Sequence, residues 1–218
     1  YQDSAGWTAL HGAVFDRNKE LTRLLLHYGA AADKKTTEHF ERRNDHVIFY
    51  EDSTPIHFAA LNNDVEILKL LIATTPKNVF REHSHGAFFY ASLYSKFEAQ
   101  LFLALKSPDV NVTDGHGWSF LHVAIHDYSP MEVLRALIKR GADIHMKTTG
   151  SITGSKDLYT PTGSTPLDIA WLTGQKKVME VLIERGATLQ PDQDLSTLNP
   201  VLNQSLNILA VSSQGRLW

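Results

Sequence analysis

Residues 163–187 encode a unit that cannot stand alone. They run Gly-Ser-Thr-Pro-Leu-Asp-Ile-Ala-Trp-Leu-Thr-Gly, then Gln-Lys-Lys-Val-Met-Glu-Val-Leu-Ile-Glu-Arg-Gly-Ala. Thr165 is suited to cap a helix and Pro166 to take its first position, where no N–H is needed. Leu167 and Ala170 share one face, and Gly174 breaks the helix. Val178, Val181, Leu182 and Ile183 form a second apolar stripe, which Gly186 ends by supplying a left-handed residue. Each predicted helix is shorter than the ~12–15 residues at which an isolated helix becomes even marginal in water. The pair needs neighbours, and the same pattern recurs upstream.

One copy is Ser53-Thr54-Pro55-Ile56-His57-Phe58-Ala59-Ala60, followed by Val65, Ile67, Leu68 and Leu71. An earlier one is Gly6-Trp7-Thr8-Ala9-Leu10-His11-Gly12-Ala13, followed by Leu21, Leu24, Leu25 and Gly29-Ala30. A later one is Gly117-Trp118-Ser119-Phe120-Leu121-His122-Val123-Ala124, followed by Val133, Leu137, Ile138 and Gly141-Ala142. The pattern resembles the ankyrin repeat, whose signature is Thr-Pro-Leu-His-x-Ala. Thr54 and Ser119 are 65 residues apart, close to two periods of about 33. A degenerate copy is therefore expected between them, with Gly86 at the Thr position, Phe89 at the His position, Phe102 and Leu103 on the second stripe, and Ser107-Pro108 as its stop.

Thr8 to Thr54 and Ser119 to Thr165 each span 46 residues, longer than one period, so insertions are expected at about 33–52 and 146–162. The first ends in Val47-Ile48-Phe49-Tyr50, whose composition favours a strand. The second is rich in Gly, Ser and Thr and is expected to be a mobile loop. Five repeats then occupy 1–188. Residues 189–218 are expected to form a C-terminal cap or degenerate sixth repeat, from Asn199-Pro200 and the helical spacing of Leu202, Leu206 and Leu209.

Composition excludes several function classes. A net charge of -3 argues against a nucleic-acid surface. The chain has no cysteine, hence no disulfide, thiolate metal site or cysteine nucleophile, which suits a cytoplasmic or other reducing intracellular compartment. No apolar run reaches the roughly 18 residues of a membrane helix, so no membrane insertion is expected. The chain starts at Tyr1, which suggests a piece of a longer polypeptide.

The resemblance implies an all-α ankyrin-repeat solenoid with hairpin fingers and the first helices on a concave face. It implies a non-catalytic module, monomeric and without cofactor, that binds a partner protein or peptide through that face. Leu25, Leu71, Leu137 and Leu182 should be buried scaffold. The positions left variable lie at the fingers and at the ends of the first helices. The partner-binding residues expected there are Trp7, Phe15, His83, His85, Tyr94, His116, Trp118, His126 and Asp127, centred on Tyr94, His85, His116, Trp118 and His126, since exposed aromatic anchors make interface hot spots. The opposing reading has Trp7 and Trp118 covering hairpin backbone. Histidines clustered on such a face would make binding pH-sensitive near their unperturbed pKa of about 6.5.

His11, His57 and His122 fill the repeat's own His position, where the resemblance implies hydrogen bonds between neighbouring loops. No metal site is expected, because no ligand motif accompanies the remaining histidines. Asn111, in Asp109-Val110-Asn111, resembles the asparagine that 2-oxoglutarate-dependent hydroxylases modify in some ankyrin proteins; Asn also simply favours turns. Of Ser107-Pro108, Ser129-Pro130 and Thr160-Pro161, only Thr160 is expected to be accessible for phosphorylation. The alternative to a binding module is an enzyme fragment completed by the insertions or a flanking domain. It would need Glu38, His39 and His46 to converge near a pocket.

Overall fold

The computed structural model describes residues 1–42, 47–49, 51–153 and 159–188. The expected tail helix at 199–209 and His46 lie outside the described residues. Among the described residues, five helix pairs follow one another. They are α1 (Ala9–Phe15) with α2 (Lys19–His27), α3 (Pro55–Leu61) with α4 (Val65–Thr74), α5 (Lys77–Leu93) with α6 (Phe97–Lys106), α7 (Phe120–His126) with α8 (Met131–Lys139), and α9 (Pro166–Leu172) with α10 (Lys176–Glu184). This is an all-α repeat solenoid. The chain divides into two compact units, Tyr1–Val112 and Thr113–Trp218, the first holding three pairs and the second two.

Four of the first helices begin alike. Thr8, Thr54, Ser119 and Thr165 sit in extended backbone as N-caps, each opening a capping box with the residue three on. The turn between the two helices of each pair also recurs. Arg17, Asn63, Ser95, Tyr128 and Gly174 all occupy the left-handed region, at φ of 55°, 57°, 53°, 58° and 68°. A chain with L side chains enters that region at a cost, and only the fifth repeat uses glycine for it.

In the first unit, α3 is buried along its whole length and packs against α1 and α5. Phe58, Leu61, Ile67, Leu68, Phe88 and Leu103 are fully inaccessible. In the second, α7 packs on α9, and Phe120, Leu121, Leu137, Leu167 and Leu182 are fully inaccessible. Side chains also cross between pairs to meet the free carbonyls at helix ends. Asn62 Nδ2 donates to Val14 O (3.1 Å) and Phe15 O (3.2 Å). Gln175 Nε2 donates to Ile125 O (2.5 Å), and Tyr128 Oη to Thr173 O (3.2 Å).

Both insertions form short antiparallel ladders. β1 (Phe40–Arg42) pairs with β2 (Val47–Phe49), Phe40 opposite Phe49, so the expected strand exists and its partner comes from the same insertion. β3 (Ile152–Thr153) pairs with β4 (Tyr159–Thr160). Within the second insertion, Ile152–Thr153 and Tyr159–Thr160 are thus paired strands. Thr160, expected to be accessible, is fully buried on β4, which removes it as a kinase target in the folded chain.

The third pair departs furthest from expectation. No finger precedes its first helix; α5 runs unbroken for 17 residues from an N-cap at Pro76. The stretch 77–85 contains neither Gly nor Pro, and no Ser or Thr stands at position 86 to restart a helix. Gly86 instead lies inside α5, where an added Cβ would fall 2.6 Å from His57 Nε2. Leu25 also differs: it is only half-buried, whereas its counterparts Leu71, Leu137 and Leu182 are closed to solvent.

Leu71→Ala and Leu182→Ala should each cost about 2–5 kcal/mol, and Leu25→Ala about 1–2 kcal/mol, by urea unfolding. Gly→Ala inside a helix ordinarily gains about 1 kcal/mol. Gly86→Ala should instead lose roughly 1–2 kcal/mol, because the boxed-in imidazole cannot yield; thermal unfolding measures the sign.

Candidate partner-binding surface

The surface rests on a scaffold of neutral imidazoles. His11, His57 and His122 each accept their own N-cap's backbone N–H at Nδ1, from Thr8 (3.1 Å), Thr54 (2.8 Å) and Ser119 (3.1 Å). The proton must then sit on Nε2. From there His11 donates to Ser53 O (3.3 Å) and His122 to Met146 O (3.0 Å). His57 turns instead toward α5, the helix that replaces the missing finger, where its ring stands edge-on to His83 at 5.8 Å. Burial pushes His11 below its ordinary pKa, His57 down to about 3 and His122 down to about 4. In the fifth repeat Asp168 Oδ2 accepts the Thr165 N–H and hydroxyl at 2.8 Å each.

Two fingers share one geometry. Asp3 Oδ1 accepts the N–H groups of Ala5 (3.1 Å) and Trp7 (2.7 Å); Asp114 Oδ1 accepts those of His116 and Trp118 (2.9 Å each). The glycine before each Trp is left-handed and lies against the next finger's backbone. A Cβ on Gly6 would fall 2.7 Å from Thr37 N, and one on Gly117 would fall 2.7 Å from Thr149 N. Asp3 and Asp114 lie outside the variable finger positions, yet each stands five residues before its N-cap. That shared offset is the signal that marks them.

In the first unit the structure brings Trp7 and Phe15 together. Their rings meet edge-to-face at 5.5 Å, and both lean on buried Phe58, at 5.1 and 6.3 Å. Both are half-buried, as is Tyr94, the C-cap of α5. His83 and His85 lie on α5 itself and are buried. They were expected on an exposed finger; the continuous helix turns them inward. Burial also lowers the pKa of His83.

In the second unit Trp118 is only 3% exposed. Its burial corrects the expectation of an exposed anchor and matches the reading in which it covers hairpin backbone. The ring stacks edge-on against His126 at 5.1 Å, and His126 Nδ1 meets Asp127 Oδ1 at 2.8 Å. His116 is exposed, and its carbonyl accepts from Thr149 N (2.8 Å) and Gly150 N (3.0 Å). Trp118, His126 and Asp127 thus form one chain of contacts, while His85 and Tyr94 belong to the first unit.

Other expected residues are placed as follows. The Asn111 N–H donates to Asp109 Oδ1 (2.8 Å) in a tight turn, and the residue is half-buried. Glu38 and His39 are exposed. Among the described residues, no group of three or more His, Asp or Glu side chains has metal-binding geometry, and no helix is long and apolar enough to cross a membrane.

Comparison with known proteins adds to this geometry. The family described as ankyrin repeats (3 copies) matches residues 56–148 and 88–193, and that described as ankyrin repeat matches residues 5–37. Relatives include the transient receptor potential cation channel subfamily V member 6 of Rattus norvegicus, 29% identical over 159 residues, covering 69% of this chain and 20% of the relative. The nuclear factor NF-kappa-B p105 subunit of Gallus gallus is 26% identical over 214 residues, 85% of this chain and 21% of the relative. The channel subfamily V member 5 of Oryctolagus cuniculus is 28% identical over 157 residues, 69% of this chain and 21% of the relative. The chain spans about a fifth of the length of these relatives.

The imidazoles predict an acid limb. Their folded pKa values lie below the unfolded 6.5, so the unfolded chain takes up protons first. Their contribution is complete above about pH 6.5 and drains away as pH falls from there toward about 4 for His122 and about 3 for His57. Urea midpoints should drop steadily across that window, and His57→Gln should flatten the slope while lowering stability at neutral pH.

Proposed function

Because the chain belongs to the ankyrin-repeat family, we propose that it is a non-catalytic recognition module that takes a partner protein or peptide on its fingers and the ends of its first helices. Ankyrin repeats are generally protein–protein interaction modules. The observation that carries the reading is the Trp7–Phe15 pair, half-exposed and braced from behind by Phe58. Rings fixed before binding lose little freedom on contact, which is the character of an interface hot spot.

Tyr94 is a further half-buried aromatic of the first unit, and in the second unit, taken by itself, exposed His116 and half-buried His126 and Asp127 offer polar contacts. Buried Trp118 acts through His126, holding its ring. The fraction of the relatives that the chain spans supports its being one part of a longer polypeptide, and the cysteine-free sequence supports a reducing compartment.

The test is affinity capture from lysate with the chain as bait, beside a Phe15→Ala/Tyr94→Ala version matched for fold by circular dichroism and urea unfolding. A partner held by the unmutated bait and lost from the variant is the expected result. Equal capture by both would refute these positions as the contact surface.

A further inference from the structure

The first repeat does not look outward like the end of a stack. Leu21, Leu24 and Tyr28 line one side of α2 and are 40%, 52% and 79% exposed. Leu21 is the third residue of its helix. The residues at that place in α4, α6, α8 and α10 are Ile67, Ala99, Val133 and Val178, all buried. The first residue of α1, Ala9, is exposed, whereas Pro55, Phe120 and Pro166 at the same place in α3, α7 and α9 are buried. Leu25 is half-open for the same reason.

The first unit also shows what covers such a face. α3 packs on α1 and α4 on α2, so each helix of the second pair lies against its counterpart in the pair before. The first pair presents the same positions with the same apolar character, and among the described residues no helix packs against them. A groove lined by Tyr1, Gln2, Ala9, Leu10, Ala31 and Lys34 opens beside it. A repeat that ends an array needs a polar outer face to stay in solution. Tyr28 reverses that rule: its counterparts Thr74, Lys106, Arg140 and Arg185 are hydrophilic.

We propose that the open side of α1 and α2 is the docking surface for one more helix–turn–helix repeat, stacked ahead of this one in the register by which the second pair stacks on the first. The footprint spans both helices of the pair, as the interface behind it does, and its apolar residues repeat that interface's positions. This surface is separate from the fingers and first-helix ends that meet a partner, so its test does not depend on one.

The experiment fuses a consensus ankyrin capping repeat, polar on its outer side, ahead of Tyr1 of the full 218-residue chain. The fusion should raise the unfolding midpoint by about 4 °C or more and slow hydrogen exchange in residues 21–28 by roughly tenfold. Leu21→Glu/Leu24→Glu should abolish both gains in the fusion while shifting the unfused chain little, since both side chains are exposed there. No gain on fusion, or a gain that survives the double substitution, would overturn the proposal. Sedimentation of the unfused chain gives the remaining arm. A monomer across the concentration range supports a repeat as occupant; a dimer broken by Leu21→Glu assigns the face to a second copy and overturns it.

Discussion

An uncharged imidazole, held at both nitrogens, is the joint on which this structure turns. A helix of seven residues has almost no internal hydrogen bonding and cannot persist by itself. His11, His57 and His122 supply what it lacks. One nitrogen secures the helix start in all three; in His11 and His122 the other reaches a carbonyl of the following element. The two bonds require opposite roles of the two nitrogens, which only the neutral ring can fill. Local helix capping and the attachment of one repeat to the next are thereby the same event.

The fingers and the first-helix ends inherit their rigidity from that joint. Trp7 is placed by Asp3 through the finger backbone and by Phe58 through ring contact. His126 is placed by Trp118 on one side and Asp127 on the other. Where the third repeat lacks a finger, His57 packs on α5 instead, and Gly86 leaves the space for it. The joint has been kept while the element it grips has changed from hairpin to helix.

Most of the repeat order was legible because its determinants are local. Thr or Ser as N-cap, an apolar stripe and a turn residue are properties of neighbouring positions, and they recur at fixed offsets. Residues 77–93 depart from the period because the local signals for a finger are missing there. Nothing between 77 and 85 breaks a helix, and the helix runs on through Gly86. The burial of Trp118, His83 and His85 was not legible for a different reason. Exposure at a variable position depends on what packs over it, and residue type cannot distinguish a Trp that awaits a partner from one that covers its own backbone. Thr160 fell to the same limit, since a Gly- and Ser-rich neighbourhood suggested a loop that its strand pairing replaces.

The recurring left-handed turn residues carry a consequence for how the chain comes apart. Arg17, Asn63, Ser95 and Tyr128 each hold a backbone shape that costs an L residue roughly 1–2 kcal/mol. A helix pair freed from its neighbours would relax at that point first, separating its two helices. Each of the first four repeats thus contains its own spring, held while a neighbouring pair packs against it. Units built this way resist fraying one at a time: peeling off an outer pair releases the strain in the pair beneath it, and loss of order spreads inward as a cascade.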